Sequence, residues 1–279
     1  MLYNLADAFR RQQKFPEALE CLKKADSLFP NDPDISLSLG SLLVESGNTQ
    51  EAYPYLATAQ RSGKYDALSF YAMARALEKE YDLEESLLFV QNALRNKPDF
   101  PEAIALQVAL LVQFNRIQEA SSILPLALQA HPDSSALLNS AGLLALRQKN
   151  LKRAEEYFQY SLALKPEYTD ALVNHAVSLV LLKRPSEAVP EFTTALATDS
   201  KNLKALANFA QALFDLHRYS EASDAFSRSV ELSPQDPDLR TNLALSLQKA
   251  GRLEEAKKEF VEAQKLRTSA SKTVPGQSH

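Results

Sequence analysis

The chain has 279 residues, 45% apolar and 24% charged, which is too apolar for a disordered chain and ordinary for a soluble globular one. Its net charge of −4 comes from interspersed acidic and basic residues with no basic stripe, which argues against nucleic acid as a partner. The single cysteine, Cys21, excludes an internal disulfide framework and a cysteine zinc cluster, and the most apolar stretch, Ala103 to Val112, is too short to span a bilayer.

Abundant Ala and Leu, no Trp and only 6 Gly favour helix throughout. A 34-residue period runs without insertion or deletion, giving eight units near 1–32, 33–66, 67–100, 101–134, 135–168, 169–202, 203–236 and 237–268. The unit from Ser135 to Tyr168 shows the plan: an amphipathic helix A, a polar turn at Gln148 to Asn150, an amphipathic helix B, and a break at Pro166. Within the first unit Met1 already lies inside the pattern, so either a longer array or an abrupt start is expected, and Pro16 opens helix B. In the second, Pro33 opens helix A and Asn48 with Glu51 reads as a capping box, while Lys64 replaces the closing proline and predicts a looser junction with the third. Asp82 with Glu85 is a second capping pair. The fourth unit begins at Pro101, carries Val108 where a small residue is usual, which predicts looser packing, and has Pro125 within helix B, where a kink is expected. Pro185 and Pro190 fall early in helix B of the sixth unit, and Pro237 opens the eighth. The last helix is expected over Glu254 to Arg267, followed by a disordered tail at 269–279.

Four columns define the register. Ala18, Ala52, Ser86, Ala120, Ala154, Ala188, Ala222 and Ala256 recur every 34 residues. Small residues also stand at Ala6, Gly40, Ala74, Gly142, Ala176, Ala210 and Ala244, and at Ala25, Ala59, Ala93, Ala127, Ser161, Ala195, Ser229 and Ala263. Bulky residues fill Leu22, Leu56, Val90, Leu124, Phe158, Phe192, Phe226 and Phe260. This pattern resembles the tetratricopeptide repeat over residues 1 to about 268. The resemblance implies an all-α, right-handed superhelical solenoid of antiparallel helix pairs. One pair cannot bury its apolar face alone, so neighbours stack.

Catalytic chemistry is nearly absent, and the chain is read as not being an enzyme. His131, His175, His217 and His279 share no ligand spacing, and no metal or other cofactor is expected. His175 reads as a hydrogen-bonded core group and Cys21 as a buried, inert thiol. Glu84-Glu85, Glu155-Glu156 and Glu254-Glu255 read as charges at the positive end of helix B.

Binding is more legible. The resemblance implies that the A helices line a concave groove. The sixth position of successive repeats reads Asn174, Asn208 and Asn242, similar to the asparagine ladder of O-GlcNAc transferases, where amides hold an extended peptide by its backbone. The alternative is that Asn is simply common at this position. Groove walls are expected from Asn139, Leu143, Arg147, Val177, Leu181, Gln211 and Phe214, mostly apolar between the fourth and seventh repeats. Lys204 and Asn174 match singly the carboxylate clamp of chaperone-binding repeats, but no three consecutive repeats complete it. The expected function is a protein-interaction scaffold that takes an extended or amphipathic peptide. A second reading is a substrate-presenting arm of a larger enzyme. The expected partner is protein or peptide, without nucleic acid or membrane insertion, and self-association through uncapped ends stays open. A cytoplasmic location is expected, with periplasmic or membrane-associated alternatives if the N-terminus is truncated.

Overall fold

The structure, a computed structural model, describes residues 2–272. Among these residues there are sixteen α-helices and no strand, arranged as two compact units, Met1–Arg147 and Gln148–His279. The first unit holds α1 (Leu2–Arg11), α2 (Phe15–Leu28), α3 (Pro33–Glu45), α4 (Thr49–Arg61), α5 (Asp66–Lys79), α6 (Leu83–Asn96), α7 (Pro101–Gln113), α8 (Ile117–Ala130) and α9 (Ser135–Arg147). The second holds α10 (Leu151–Leu164), α11 (Thr169–Leu181), α12 (Pro185–Thr198), α13 (Leu203–Asp215), α14 (Tyr219–Leu232), α15 (Pro237–Lys249) and α16 (Leu253–Lys272). No helix among them is long and apolar enough to cross a membrane.

Helices pack in consecutive pairs because the small columns sit where helices cross. In the first unit Ala18, Ala52, Ser86 and Ala120 are fully buried, and the Ser86 hydroxyl donates to the Ala74 carbonyl at 2.8 Å. At Gly40 the approach is close. A methyl group on its Cα would lie 2.6 Å from Leu56 Cδ2 and 3.2 Å from the Leu56 backbone nitrogen. In the second unit Ala154, Ala188 and Ala222 are fully buried, and Phe158, Phe192 and Phe226 fill the space beside them at no more than 1% exposure. Burying one such ring contributes about 1.5–3 kcal/mol. In each unit A helices also touch A helices of the next repeat: α3 with α5 and α7 with α9 in the first, α11 with α13 in the second.

The turn between the helices of a repeat is the most regular local feature. Gln13, Gly47, Tyr81, Asn115, Lys149, Lys183, His217 and Gly251 lie 34 residues apart and all have positive φ, from 57° to 84°. The left-handed residue lets the chain reverse while closing two hydrogen bonds onto the end of helix A. Tyr81 N–H donates to Glu78 O at 3.1 Å and Asp82 N–H to Leu77 O at 2.9 Å; Lys183 and Arg184 do the same to Val180 and Leu179. Only two of these eight positions are glycine.

Several local expectations are met and others corrected. Val108 is fully buried, and α7 makes the smallest contact with its own partner helix and the largest with the next A helix, α9. The junction at Lys64 is not looser. Lys64 Nζ bonds Asp34 at 2.8 Å, the Tyr65 hydroxyl donates to the same carboxylate, and Gly63 at φ 69° ends the helix in place of proline. Asp82 caps α6 through the Glu85 N–H, but Asn48 makes no capping bond and its amide turns to Ser46 Oγ instead. Pro125 lies inside α8, within helix B as its place in the repeat implied. Cys21 is half-buried rather than buried. Glu155 lies beyond the first turn of α10 and pairs with Arg184 at 2.6 Å, so it does not serve the helix end. The last helix runs to Lys272, past the expected boundary at 268. Thr268 occupies the proline column and cannot stop it, and the next breakers, Pro275 and Gly276, come later. The rest of the expected tail, 273–279, lies outside the described residues.

Candidate functional site

The expected groove residues divide between the units. Asn139, Leu143 and Arg147 stand on α9 of the first. Asn139 is buried at 5% exposure, Leu143 is half-buried and Arg147 is exposed. Asn174, Val177 and Leu181 on α11, Asn208, Gln211 and Phe214 on α13, and Asn242 on α15 belong to the second.

The three asparagines of the second unit share a repeat position but not an environment. Asn174 is buried, and its Oδ1 accepts from Lys204 Nζ at 2.7 Å. Asn208 is half-buried and donates its Nδ2 to the Lys204 carbonyl at 2.8 Å, one turn back on its own helix. Asn242 is half-buried as well. Lys204 accounts for the difference, because its stem reaches back to the preceding A helix and covers Asn174. No repeat-by-repeat reading of one column would show this, although the Lys204–Asn174 separation of 30 residues matches neighbouring A helices.

Apolar side chains run beside them. Val177, Val180 and Phe214 are half-buried, Leu181 is 51% exposed and Leu245 is 38% exposed. At the C-terminal ends of α11, α13 and α15, Val180 and Phe214 open into a cleft of about 520 Å³. Val180, Pro185, Phe214 and Tyr219 supply its apolar lining, and Lys183, Asp215, His217 and Lys249 its polar rim. Phe214 and Tyr219 meet edge to face at 5.2 Å, and the Tyr219 hydroxyl lies 2.7 Å from His217 Nδ1. Asp215 accepts from Gln211 Nε2 at 2.8 Å. The groove expectation omitted Lys183, His217 and Tyr219, which belong to the turn and helix B rather than to the A-helix columns. The signal that could have found Lys183 and His217 is the column of turn residues between the helices of a repeat, which carries a side chain in six of the eight repeats.

The first unit has its own cleft, of about 480 Å³, lined by Tyr53, Ala57, Met73, Leu77 and Phe89 with Glu80, Asp82 and Glu85. Burial, with Glu80 close by, pushes the Tyr53 hydroxyl up to about 12, so it stays neutral and donates to Glu80 at 3.3 Å.

His175 is a core group, as expected. It is 6% exposed, its Nδ1 lies 2.8 Å from Glu191, and its ring meets Phe158 edge to face. At the start of four B helices an arginine grips the glutamate three residues on: Arg116–Glu119, Arg184–Glu187, Arg218–Glu221 and Arg252–Glu255. These bonds hold each of the four carboxyls below its ordinary value. They brace the turn. No group of three His, Cys, Asp or Glu that could hold a metal ion occurs among the described residues.

Comparison with known proteins agrees with the helix-pair plan. Tetratricopeptide repeat models match residues 3–67, 107–169, 179–231 and 237–269. The TPR repeat-containing protein PA4667 of Pseudomonas aeruginosa is 28% identical over 161 residues, which is 56% of this chain and 27% of that protein. A chain of the APC/C hetero-tetramer Cut9–Hcn1 shares the fold at a TM-score of 0.75 and 20% identity, over 95% of this chain and 52% of that one. A tetratricopeptide repeat protein from Parabacteroides merdae does so at 0.59 and 16%, over 88% and 97%. This chain thus spans about a quarter of the Pseudomonas protein and half of the APC/C chain. Such repeats mediate protein–protein interaction, and the chain belongs to the tetratricopeptide repeat family.

Proposed function

We propose that the second unit holds an extended or amphipathic segment of a partner protein along the face of α11, α13 and α15, without catalysis of its own. The observation that carries this is the row of incompletely covered apolar side chains on these helices, Val177, Leu181, Phe214 and Leu245, beside the half-buried amides of Asn208 and Asn242. The apolar row supplies contact area, and the amides can bond a peptide backbone without reading its sequence. Asn174, already taken by Lys204, positions that lysine rather than the ligand.

The test follows from this difference. Once a partner is identified by pull-down, Asn208→Ala/Asn242→Ala is expected to weaken its binding by about 0.5–1.5 kcal/mol per lost bond. The helical melt should stay in place. Unchanged affinity with an unchanged melt would remove the amides from the binding face. Asn174→Ala is the weaker probe, because it disturbs a buried bond and alters stability as well.

A further inference from the structure

We propose that the cleft at the ends of α11, α13 and α15 docks an acidic segment of a partner, one apolar or aromatic side chain entering the cleft and flanking Asp or Glu carboxylates meeting Lys183 and Lys249. The inference rests on the A-helix face reading and specifies the chemistry of the segment.

The floor is aromatic and fixed. Phe214 packs against Tyr219, and His217 Nδ1 is held 2.7 Å from the Tyr219 hydroxyl. This is an apolar surface within an open cleft of about 520 Å³, a size that admits one large side chain. The rim is basic. Lys183 projects from the left-handed turn after α11, and Lys249 stands in the last turn of α15. Among the described residues neither ammonium has an acidic partner, whereas Lys64, Lys257 and Lys265 are paired with Asp34, Glu254 and Glu262. Against Lys183 and Lys249 stands one carboxylate on the rim, Asp215, which accepts from Gln211, so the lysines outnumber it. Two unpaired lysines around an apolar floor favour a segment that is acidic on both sides of an apolar residue, and like charge would repel a basic one.

The probe is a fluorescein-labelled, end-capped peptide, Asp-Glu-Glu-Phe-Glu-Asp, with Lys-Lys-Lys-Phe-Lys-Lys as its counterpart, titrated with the full chain and followed by fluorescence polarisation. The acidic peptide is expected to bind and the basic one not to, with binding weakened as salt rises from about 50 mM to about 500 mM. Lys183→Glu/Lys249→Glu should weaken the acidic peptide by about tenfold or more, and Lys183→Asn/Lys249→Gln by about threefold. Asn tolerates the left-handed turn, so the second pair keeps the test valid if the first disturbs folding; circular dichroism checks both. Equal binding of the two peptides, no binding of the acidic one, or indifference of the acidic one to both double variants would overturn the proposal. The two readings fail separately. A native partner that cross-links to the A helices yet ignores the lysine variants overturns the acidic docking alone. A partner that cross-links only to B helices overturns the A-helix face reading.

Discussion

Replacing Tyr81 by glycine is expected to stabilise the protein, although it removes a large side chain. Tyr81 sits at φ 62° in the turn between α5 and α6, with its ring 74% exposed. A side chain in the left-handed region costs roughly 1–2 kcal/mol from the clash of Cβ with the following carbonyl. Glycine removes that cost but gives up roughly 0.5–1 kcal/mol to the freedom it gains in the unfolded chain. The exposed side chain offers little packing to lose, so the net gain lies at about 0–1.5 kcal/mol, near the middle of that range. Both turn hydrogen bonds use backbone atoms, Tyr81 N to Glu78 O and Asp82 N to Leu77 O, and remain available. Urea unfolding followed by circular dichroism gives the difference. The reciprocal change, Gly251→Ala, has open space around its Cα and φ 83°, so it isolates the backbone cost and should destabilise by a similar amount. Destabilisation by Tyr81→Gly, together with a neutral Gly251→Ala, would refute the claim that the shared turn conformation is strained.

Other outcomes follow from packing and charge. Gly40→Ala should cost about 1–3 kcal/mol, since its methyl group would enter the space of the Leu56 side chain; differential scanning calorimetry would record a lower transition. Phe192→Ala empties a fully buried site and should cost about 3–5 kcal/mol, whereas Leu181→Ala, at a half-exposed site, should stay within about 0.5 kcal/mol. On acidification, the carboxyls of Glu119, Glu187, Glu221 and Glu255, held below their ordinary value of 4.5 by paired arginines, contribute stability above that pH and lose it as pH falls through their lower folded values. Their contribution to the melting temperature should therefore be constant from pH 7 to about 5 and be lost below about 4.5, and replacing the four arginines by glutamine should lessen the fall seen there.

Much of the fold could be read from the sequence because the period is unbroken and each column answers to one packing demand. Ala52, Ala188 and Phe192 are buried where a helix crossing needs a small residue or a filler. Local reading failed where a neighbour in space decided the outcome. Lys64 looked like a missing proline until Asp34, 30 residues earlier, gave it a partner. Asn48 had capping chemistry, yet its amide found Ser46 Oγ nearer. On the A helices, Asn174 and Asn208 read alike in sequence and differ in structure because the Lys204 side chain reaches Asn174, whereas Asn208 bonds only the Lys204 carbonyl. The basic rim of the cleft escaped a column-by-column reading, since it combines a turn residue, Lys183, with a helix end, Lys249, from different repeat positions.

The central claim is that a partner lies on the A helices of the second unit, and site-specific photo-cross-linking tests it most directly. A photoreactive amino acid would be placed singly at Leu181, Gln211 and Leu245 on the A helices, and at Tyr160 and Leu232, which are 63% and 39% exposed on the B helices. Cross-links to the same partner peptide from Leu181, Gln211 and Leu245, with none from Tyr160 or Leu232, are the expected result. Cross-links confined to Tyr160 and Leu232 would contradict it and move the binding face to the B helices.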